Sequence, residues 1–384
     1  MVVAGEASGD LHGAGLVRAL RQQRDHLRFL GIGGPRLRAE GMELVADSST
    51  WGLVGLPESA GWFLRVWRGW RRARQELSRR PPRALVLIDF GWVNMSLARA
   101  ARSCGVPVLY FFPPQSWSRN PTRTEVADIV DAVATPFPWS AERLRGRHAR
   151  VEWVGHPLRD IVQVTESRSQ AAARLGLDPG RRVMALAPGS RPAEIRHILP
   201  PVAGAAALLA KEFPDLQFLV PVAPTVARET VAAELARVGV SARLLDGVDY
   251  DALQLADVAL VASGTVTLEL ALLGVPMIVV YRVSRFAALQ AALYRRLFPA
   301  GTQGFRMVAL PNLMAQRRIV PELLQDRATP ELMAAEAGRL LRDAEARDRM
   351  RIELRAVAEA LGPPGALERT AEMTLALLDE RSGG

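Results

Sequence analysis

At 384 residues, 49% of them hydrophobic, the chain exceeds one compact core, so two domains are predicted. Its one cysteine, Cys104, excludes an internal disulfide and any thiolate metal site, and points to a reducing compartment. The net charge of +9 rests on 48 arginines and a single lysine, Lys211, a bias that GC-rich coding explains; it permits nucleotides, nucleic acids or acidic lipid surfaces as partners without choosing among them.

No uncharged apolar run reaches the roughly 18 to 20 residues that a bilayer crossing takes. Met1 leads into Val2-Val3-Ala4-Gly5 with no basic region before it, so no signal peptide and a cytosolic location are expected. Only about three apolar residues precede the first turn, which suggests a strand that begins upstream of this start.

Residues 2–10 read as a strand and a small-residue turn, and residues 11–20 carry apolar side chains at helical spacing. Phe29-Leu30-Gly31-Ile32-Gly33-Gly34 gives a second strand and turn, residues 84–89 a third strand and 106–112 a fourth, followed by 130–135 and 151–154. Alternation with helices predicts a doubly wound parallel sheet that binds ligands outside the carboxyl ends of its strands. Within this half, residues 58–74 place Trp62, Phe63, Val66, Trp67 and Trp70 on one helical face beside arginines. That face suits a helix lying among lipid headgroups near an acyl-chain pocket, and the competing account is a core helix with a solvated basic face.

A polar, alanine-rich connection at 165–179 leads to a second unit of the same class. Residues 183–187 form a strand, Pro188-Gly189-Ser190-Arg191 a turn and 193–211 a helix, with further strands at 216–222, 242–245, 258–262 and 276–281. Two such sheets facing each other would leave a cleft for substrate. From residue 330 onward the pattern is helical, interrupted by Pro363-Pro364-Gly365 before a last helix at 367–378. There is no short-period repeat and no nucleic-acid-binding module, so no nucleic-acid partner is expected.

The strand-to-helix junction Ser263-Gly264-Thr265 reads in two ways. Its free amides can cradle a diphosphate while Glu269, one turn on, accepts hydrogen bonds from a ribose diol. Alternatively, Thr265 caps an ordinary helix and Glu269 is a solvated first-turn acid.

Gly5-Glu6-Ala7-Ser8-Gly9-Asp10, Gly33-Gly34-Pro35-Arg36 with Ala39-Glu40-Gly41, Ile88-Asp89 with Asn94, and Gly155-His156-Pro157 resemble the lipid-A-disaccharide synthase family. Pro188-Gly189-Ser190-Arg191 with Ala193-Glu194, Leu245-Asp246-Gly247, Ala262-Ser263-Gly264-Thr265, Tyr281-Arg282 and Leu310-Pro311-Asn312-Leu313 continue the resemblance in the same order. It implies an α/β protein of the GT-B type, two Rossmann-like domains facing across a cleft, with a C-terminal helix crossing back to the first. The implied division is 1–164 for the acceptor and membrane-facing domain, 165–345 for the UDP-sugar domain and 346–384 for helices packing on the first. The implied reaction joins UDP-2,3-diacylglucosamine to 2,3-diacylglucosamine 1-phosphate with inversion, giving a β-1,6-linked disaccharide and UDP. The resemblance implies no organic cofactor, and no acid cluster at metal-ligand spacing stands out. It also implies a cytoplasmic protein held peripherally on the inner membrane.

Such a transfer needs a base for the acceptor hydroxyl and a dipolar or cationic clamp for the leaving diphosphate. Asp89 ends an apolar strand and matches the family's candidate base; otherwise it caps the next helix or ties down Asn94. His12, on the first turn of the first helix, is a second candidate, kept neutral there by the helix dipole. Ser8, Gly9 and Asn94 complete the acceptor side that the resemblance implies. Arg191 matches the family arginine that meets the nucleotide phosphates, a task that suits a guanidinium. Gly189, Ser190, Ser263, Gly264 and Thr265 would cradle the diphosphate, Glu269 the ribose, and the backbone at Leu245 and Gly247 the uracil. Asn312 resembles a family site residue, although a Pro-Asn turn explains it too. The chain departs from the family between Phe112 and Arg123, and Trp92 stands where a second acid is expected. A different lipid acceptor, a UDP-N-acetylglucosamine 2-epimerase and a catalytically inactive UDP-sugar sensor are the rival readings.

Overall fold

The computed structural model describes residues 1–49, 51, 56–114, 116, 125–283 and 307–380, with the backbone alone at 56–60, 62 and 193. The chain divides into two compact units. The first holds residues 1–49 and 57–161 together with the stretch from Leu361, and the second holds Val162–Ala360.

The first unit is built on β1 (Val2–Ala4), β2 (Leu30–Gly33), β3 (Glu43–Asp47), β4 (Leu85–Ile88), β5 (Val108–Phe111), β6 (Ala132–Thr135) and β7 (Arg150–Trp153). All pairings are parallel, in the order β3-β2-β1-β4-β5-β6-β7. The central strands are apolar throughout because helices cover both faces; every residue of β4 and β5 is buried. Strand order reverses between β1 and β4, where Ala4 lies opposite Ile88. The turns that leave these two strands, at Gly5-Glu6 and Asp89-Phe90, therefore emerge side by side at the switch point, where open α/β sheets bind ligands.

The second unit repeats the plan with β8 (Val183–Ala187), β9 (Gln217–Val222), β10 (Arg243–Asp246), β11 (Val258–Ala262), β12 (Met277–Tyr281) and β13 (Glu322–Leu324). Its parallel order is β10-β9-β8-β11-β12-β13, with the switch between β8 and β11 and Ala187 opposite Val261. The turns Pro188-Gly189-Ser190-Arg191 and Ser263-Gly264-Thr265 leave these neighbouring ends.

Helix Ala344–Ala360 stays with the second unit, and helix Ala366–Glu380 completes the first. The latter packs on helix Ala7–Gln23 so closely that a Cβ on Gly15 would fall 2.7 Å from Leu367 Cδ1. Asp160 caps its start, accepting the amides of Gly365 at 2.5 Å and Leu367 at 2.9 Å. At Gly155, φ of +82° and a carbonyl of Pro363 2.8 Å from any Cβ both require glycine, while the amide of His156 donates to Leu361 O at 2.9 Å. The Gly155-His156-Pro157 motif thus docks the returning chain.

The single interfacial face expected on residues 58–74 is divided in the structure. In helix Leu56–Arg79, Val66, Ala73 and Leu77 are fully buried and Trp70 is half-buried against the same core, a stripe at i, i+4, i+7 and i+11. Gly69 seats Trp51, whose ring lies 2.4 Å from where a Cβ would stand. Phe63, Leu64 and Trp67 remain 49%, 48% and 38% exposed, among exposed Arg65, Arg68, Arg71 and Arg72. The side chain of Trp62 lies outside the described residues. No helix among the described residues is long and apolar enough to cross a membrane.

Candidate functional site

In the first unit the residues at the switch point enclose Asp89. Both Asp89 and Phe90 are left-handed, with φ of 49° and 50°, a conformation that costs a non-glycine residue about 1–3 kcal/mol. Four contacts hold it. The Tyr110 hydroxyl donates to Asp89 O at 2.6 Å, Asn94 Nδ2 donates to the same oxygen at 2.7 Å and to Ile88 O at 3.1 Å, and the Phe90 ring lies against Gly5, where a Cβ would be 2.2 Å from Cγ. Asn94 is therefore a brace under the turn. Its Oδ1 is buried with no hydrogen-bond partner among the described residues.

The Asp89 carboxyl is pushed up to about 6 by burial first and by the nearby charge of Glu6 second, against one opposing bond from the Phe90 amide. Such a group is a stronger base than an ordinary carboxylate and is still mostly ionised near neutrality. Glu6 was not singled out from the sequence, although it sits inside the motif Gly5-Glu6; only the pairing of β1 with β4 reveals its proximity.

His12 is buried, stacked on Phe112 at 4.9 Å and edge-on to His156 at 5.8 Å. Burial first and the charge of Arg36 second lower its pKa to about 3. The imidazole is neutral, as the sequence suggested, but burial and Arg36 account for that where the helix dipole was expected to. A base so weak is poorly matched to proton abstraction near neutrality. Its Nδ1 has no hydrogen-bond partner among the described residues. Ser8 is half-buried in the first turn of the same helix, and Gly9 is a packing position, since its Cβ would touch Ala4 Cβ at 3.3 Å. Asp10 also serves the fold, accepting the amides of Gly34, Arg36 and Leu37 at 2.7, 3.0 and 3.1 Å.

In the second unit, Gly189 has φ of +123° and opens a turn whose amides already hold an anion. Glu194 Oε2 accepts from the amides of Ser190 at 2.9 Å and Arg191 at 3.2 Å, and Oε1 lies 3.2 Å from Arg191 Nη1. This carboxylate stands where a phosphate would find its donors. Thr225 donates its hydroxyl to Ser190 O. Tyr281, at the end of β12, has its hydroxyl pushed up by burial and then by the charge of Glu194, with Arg191 opposing.

At the neighbouring junction Thr265 makes no side-chain cap, and the amides of Gly264 and Thr265 carry no hydrogen bond among the described residues. Gly264 has no positive φ, and no atom of the described residues lies within 4 Å of where its Cβ would be. Glu269 is buried, with the Tyr250 hydroxyl 3.4 Å from Oε2, so the solvated-acid account does not hold.

Other expected contacts are committed elsewhere. Ser263 donates its hydroxyl to Val308 O at 2.7 Å. Asn312 is fully buried; its Nδ2 donates to Val320 O at 2.9 Å and Glu322 Oε1 at 2.8 Å, and its Oδ1 accepts from Ile319 at 2.7 Å and Val320 at 2.9 Å. With every valence of its amide used, Asn312 shapes the loop and has no group left for a ligand. Glu322 also takes the amides of Val308 and Ala309, so it anchors the segment that Ser263 touches. Leu245 turns its side chain into the core and the Gly247 amide bonds Val222 O at 2.8 Å, which takes that amide from any uracil contact.

A sequence model of the lipid-A-disaccharide synthetase family matches residues 1–371. The lipid-A-disaccharide synthase of Geobacter sulfurreducens is 40% identical over 384 residues, spanning 99% of this chain and 97% of that protein. That of Syntrophotalea carbinolica is 39% identical over 385 residues, spanning 100% and 96%. Among solved structures, the UDP-GlcNAc 2-epimerase of Neisseria meningitidis bound to UDP-GlcNAc has a TM-score of 0.62 at 13% identity, covering 98% of this chain and 99% of that one. MurG of Acinetobacter baumannii has a TM-score of 0.55 at 17% identity, with coverage of 98% and 99%. At these identities the solved structures speak to the fold, whereas the full-length sequence match lies with the synthases.

Proposed function

The chain belongs to the lipid-A-disaccharide synthase family, and on that premise we propose which residues carry the transfer and which acceptor receives it. The protein is an inverting glycosyltransferase with a UDP-sugar donor. The assigned substrates are UDP-2,3-diacylglucosamine and 2,3-diacylglucosamine 1-phosphate, and the products are the β-1,6-linked disaccharide 1-phosphate and UDP.

The observation that carries the mechanism is the Asp89 carboxyl, held at the end of β4 with its pKa raised to about 6. The acceptor's 6-hydroxyl attacks the anomeric carbon of the donor. As that C–O bond forms, the bond from carbon to diphosphate breaks. The electron pair leaves with UDP, and the hydroxyl proton passes to Asp89. Charge develops on the departing diphosphate, so donors fixed in advance lower the barrier most. Arg191 and the amides of Gly264 and Thr265 fill this role, and Glu194 yields the amides of Ser190 and Arg191 to the phosphate. Glu269 takes the ribose hydroxyls.

The acyl chains place the reaction at a membrane surface. Phe63, Leu64 and Trp67 with their flanking arginines form the patch assigned to the cytoplasmic face of the inner membrane. Mass spectrometry of products from the purified protein, UDP-diacylglucosamine and a membrane lipid extract tests the whole reading. A new diglycosyl lipid formed one-for-one with UDP is expected; an epimerised donor with no lipid product would overturn it.

A further inference from the structure

Tyr110 lies in the centre of β5 and is wholly buried, in a strand whose other side chains are Val108, Leu109 and Phe111. Phenylalanine would fill that space equally well, so the hydroxyl needs its own explanation. A buried hydroxyl demands a partner, and this one's partner is the main-chain carbonyl of Asp89 at 2.6 Å. Asn94 Nδ2 reaches the same oxygen at 2.7 Å, so both of its lone pairs are occupied. Two donors from two different elements fix the peptide plane between Asp89 and Phe90, and that plane sets ψ of Asp89. On the far side of the turn, Phe90 is pressed against the bare face of Gly5.

We propose that Tyr110 is a positioning residue for this transferase: its hydroxyl locks the left-handed turn that presents the Asp89 carboxylate to the acceptor. The inference rests on the assignment of Asp89 as base. Without this bond the Asp89 peptide keeps one donor of two and relaxes toward an ordinary backbone conformation. The carboxylate then leaves its half-buried setting beside Glu6, and its pKa falls back toward the usual carboxylate range.

The test is Tyr110→Phe in the full-length enzyme, measured beside Asp89→Asn. Tyr110→Phe is expected to lower kcat by about tenfold or more with KM for the UDP-sugar within about twofold, and to move the acid limb of the pH–rate profile downward. Gly5→Ala, which drives a methyl group into the Phe90 ring, should give the same kinetic signature from the opposite side. Parental kcat in Tyr110→Phe beside a disabled Asp89→Asn would overturn the positioning role alone. A loss of kcat matched by lost donor affinity, or by loss of the cooperative thermal transition, would reduce Tyr110 to a structural residue. Near-parental turnover in Asp89→Asn would remove the base assignment and the proposal with it.

Discussion

Gly189 has no room for a side chain because Glu194 fills it: a Cβ there would fall 2.6 Å from Glu194 Oε2. The glycine and the acid form one device, a turn with φ of +123° whose amides are held in place by a carboxylate four residues after Ser190. Gly189→Ala is expected to fail twice, through backbone strain of about 1–2 kcal/mol and through displacement of Glu194. Gly264→Ala meets no atom of the described residues, at a φ outside the left-handed region, and should leave the melting temperature unchanged. Calorimetric titration with UDP separates the two. Both variants should bind UDP at least about tenfold more weakly, and only Gly189→Ala should also melt earlier. Wild-type UDP affinity in Gly264→Ala would remove that junction from the donor site.

The raised pKa of Asp89 gives a pH dependence with a definite sign. As a base it acts when ionised, so kcat should climb through about pH 6. Glu6→Gln removes a charge that raises the pKa and should shift that limb to lower pH. For stability the sign is opposite. Because the folded pKa lies above the ordinary carboxylate value of 3.8, the contribution of Asp89 is complete below about pH 4 and is lost as pH rises through about 6. The melting temperature of Asp89→Asn should therefore exceed the parent's by more at pH 8 than at pH 4. An equal difference at both values would contradict the shift.

His12 titrates the other way. Its folded pKa of about 3 lies below the ordinary 6.5, so its contribution is present above pH 6.5 and is lost as pH falls toward 3. His156, beside it, is lowered in the same direction by burial and by His12. His12→Phe keeps an aromatic ring against Phe112 and removes one of the two protonation costs. The drop in melting temperature between pH 7 and pH 4.5 should be smaller in this variant than in the parent; an unchanged drop would show that His12 does not carry the acid sensitivity.

On the helix Leu56–Arg79, the division of its apolar side chains separates two outcomes. Phe63→Ser with Trp67→Ser should weaken binding to anionic vesicles by about tenfold or more and leave the melting temperature within a few degrees. Trp70→Ser opens space against Val66 and the β-sheet core, so it should destabilise the fold by about 3 kcal/mol or more. Vesicle affinity unaffected by the Phe63 and Trp67 changes would place the membrane contact elsewhere.

Much of the fold was legible because strands buried on both faces are continuous apolar runs and end in small residues. The turns at Gly5, Asp89, Gly189 and Ser263 could be found for that reason. What a carboxylate or amide does at such a turn depends on neighbours far along the chain. The Tyr110 hydroxyl reaches Asp89 across 21 residues, and nothing in the string Val108-Leu109-Tyr110-Phe111 distinguishes a clamp from a core aromatic. For Asn312 the sequence leaves both a ligand contact and an ordinary Pro-Asn turn open, and its four hydrogen bonds, all within residues 312–322, agree with the turn. On the tryptophan helix the sequence groups Trp62, Phe63, Val66, Trp67 and Trp70 on one face, and helical spacing alone cannot declare that Val66 and Trp70 meet the core while Phe63 and Trp67 stay exposed.

The return of helix Ala366–Glu380 to the first unit has a consequence for synthesis on the ribosome. Leu16, Val17 and Leu20 of helix Ala7–Gln23 share a core cluster with Leu367, Ala371, Met373, Leu375 and Leu378, residues translated after the entire second unit. The first unit therefore begins first and is completed last, and its nascent form carries an uncovered apolar helix face throughout elongation of the second. A stalled or truncated product ending near Ala360 lacks the residues that complete the first unit's core and leaves that apolar helix face open to aggregation.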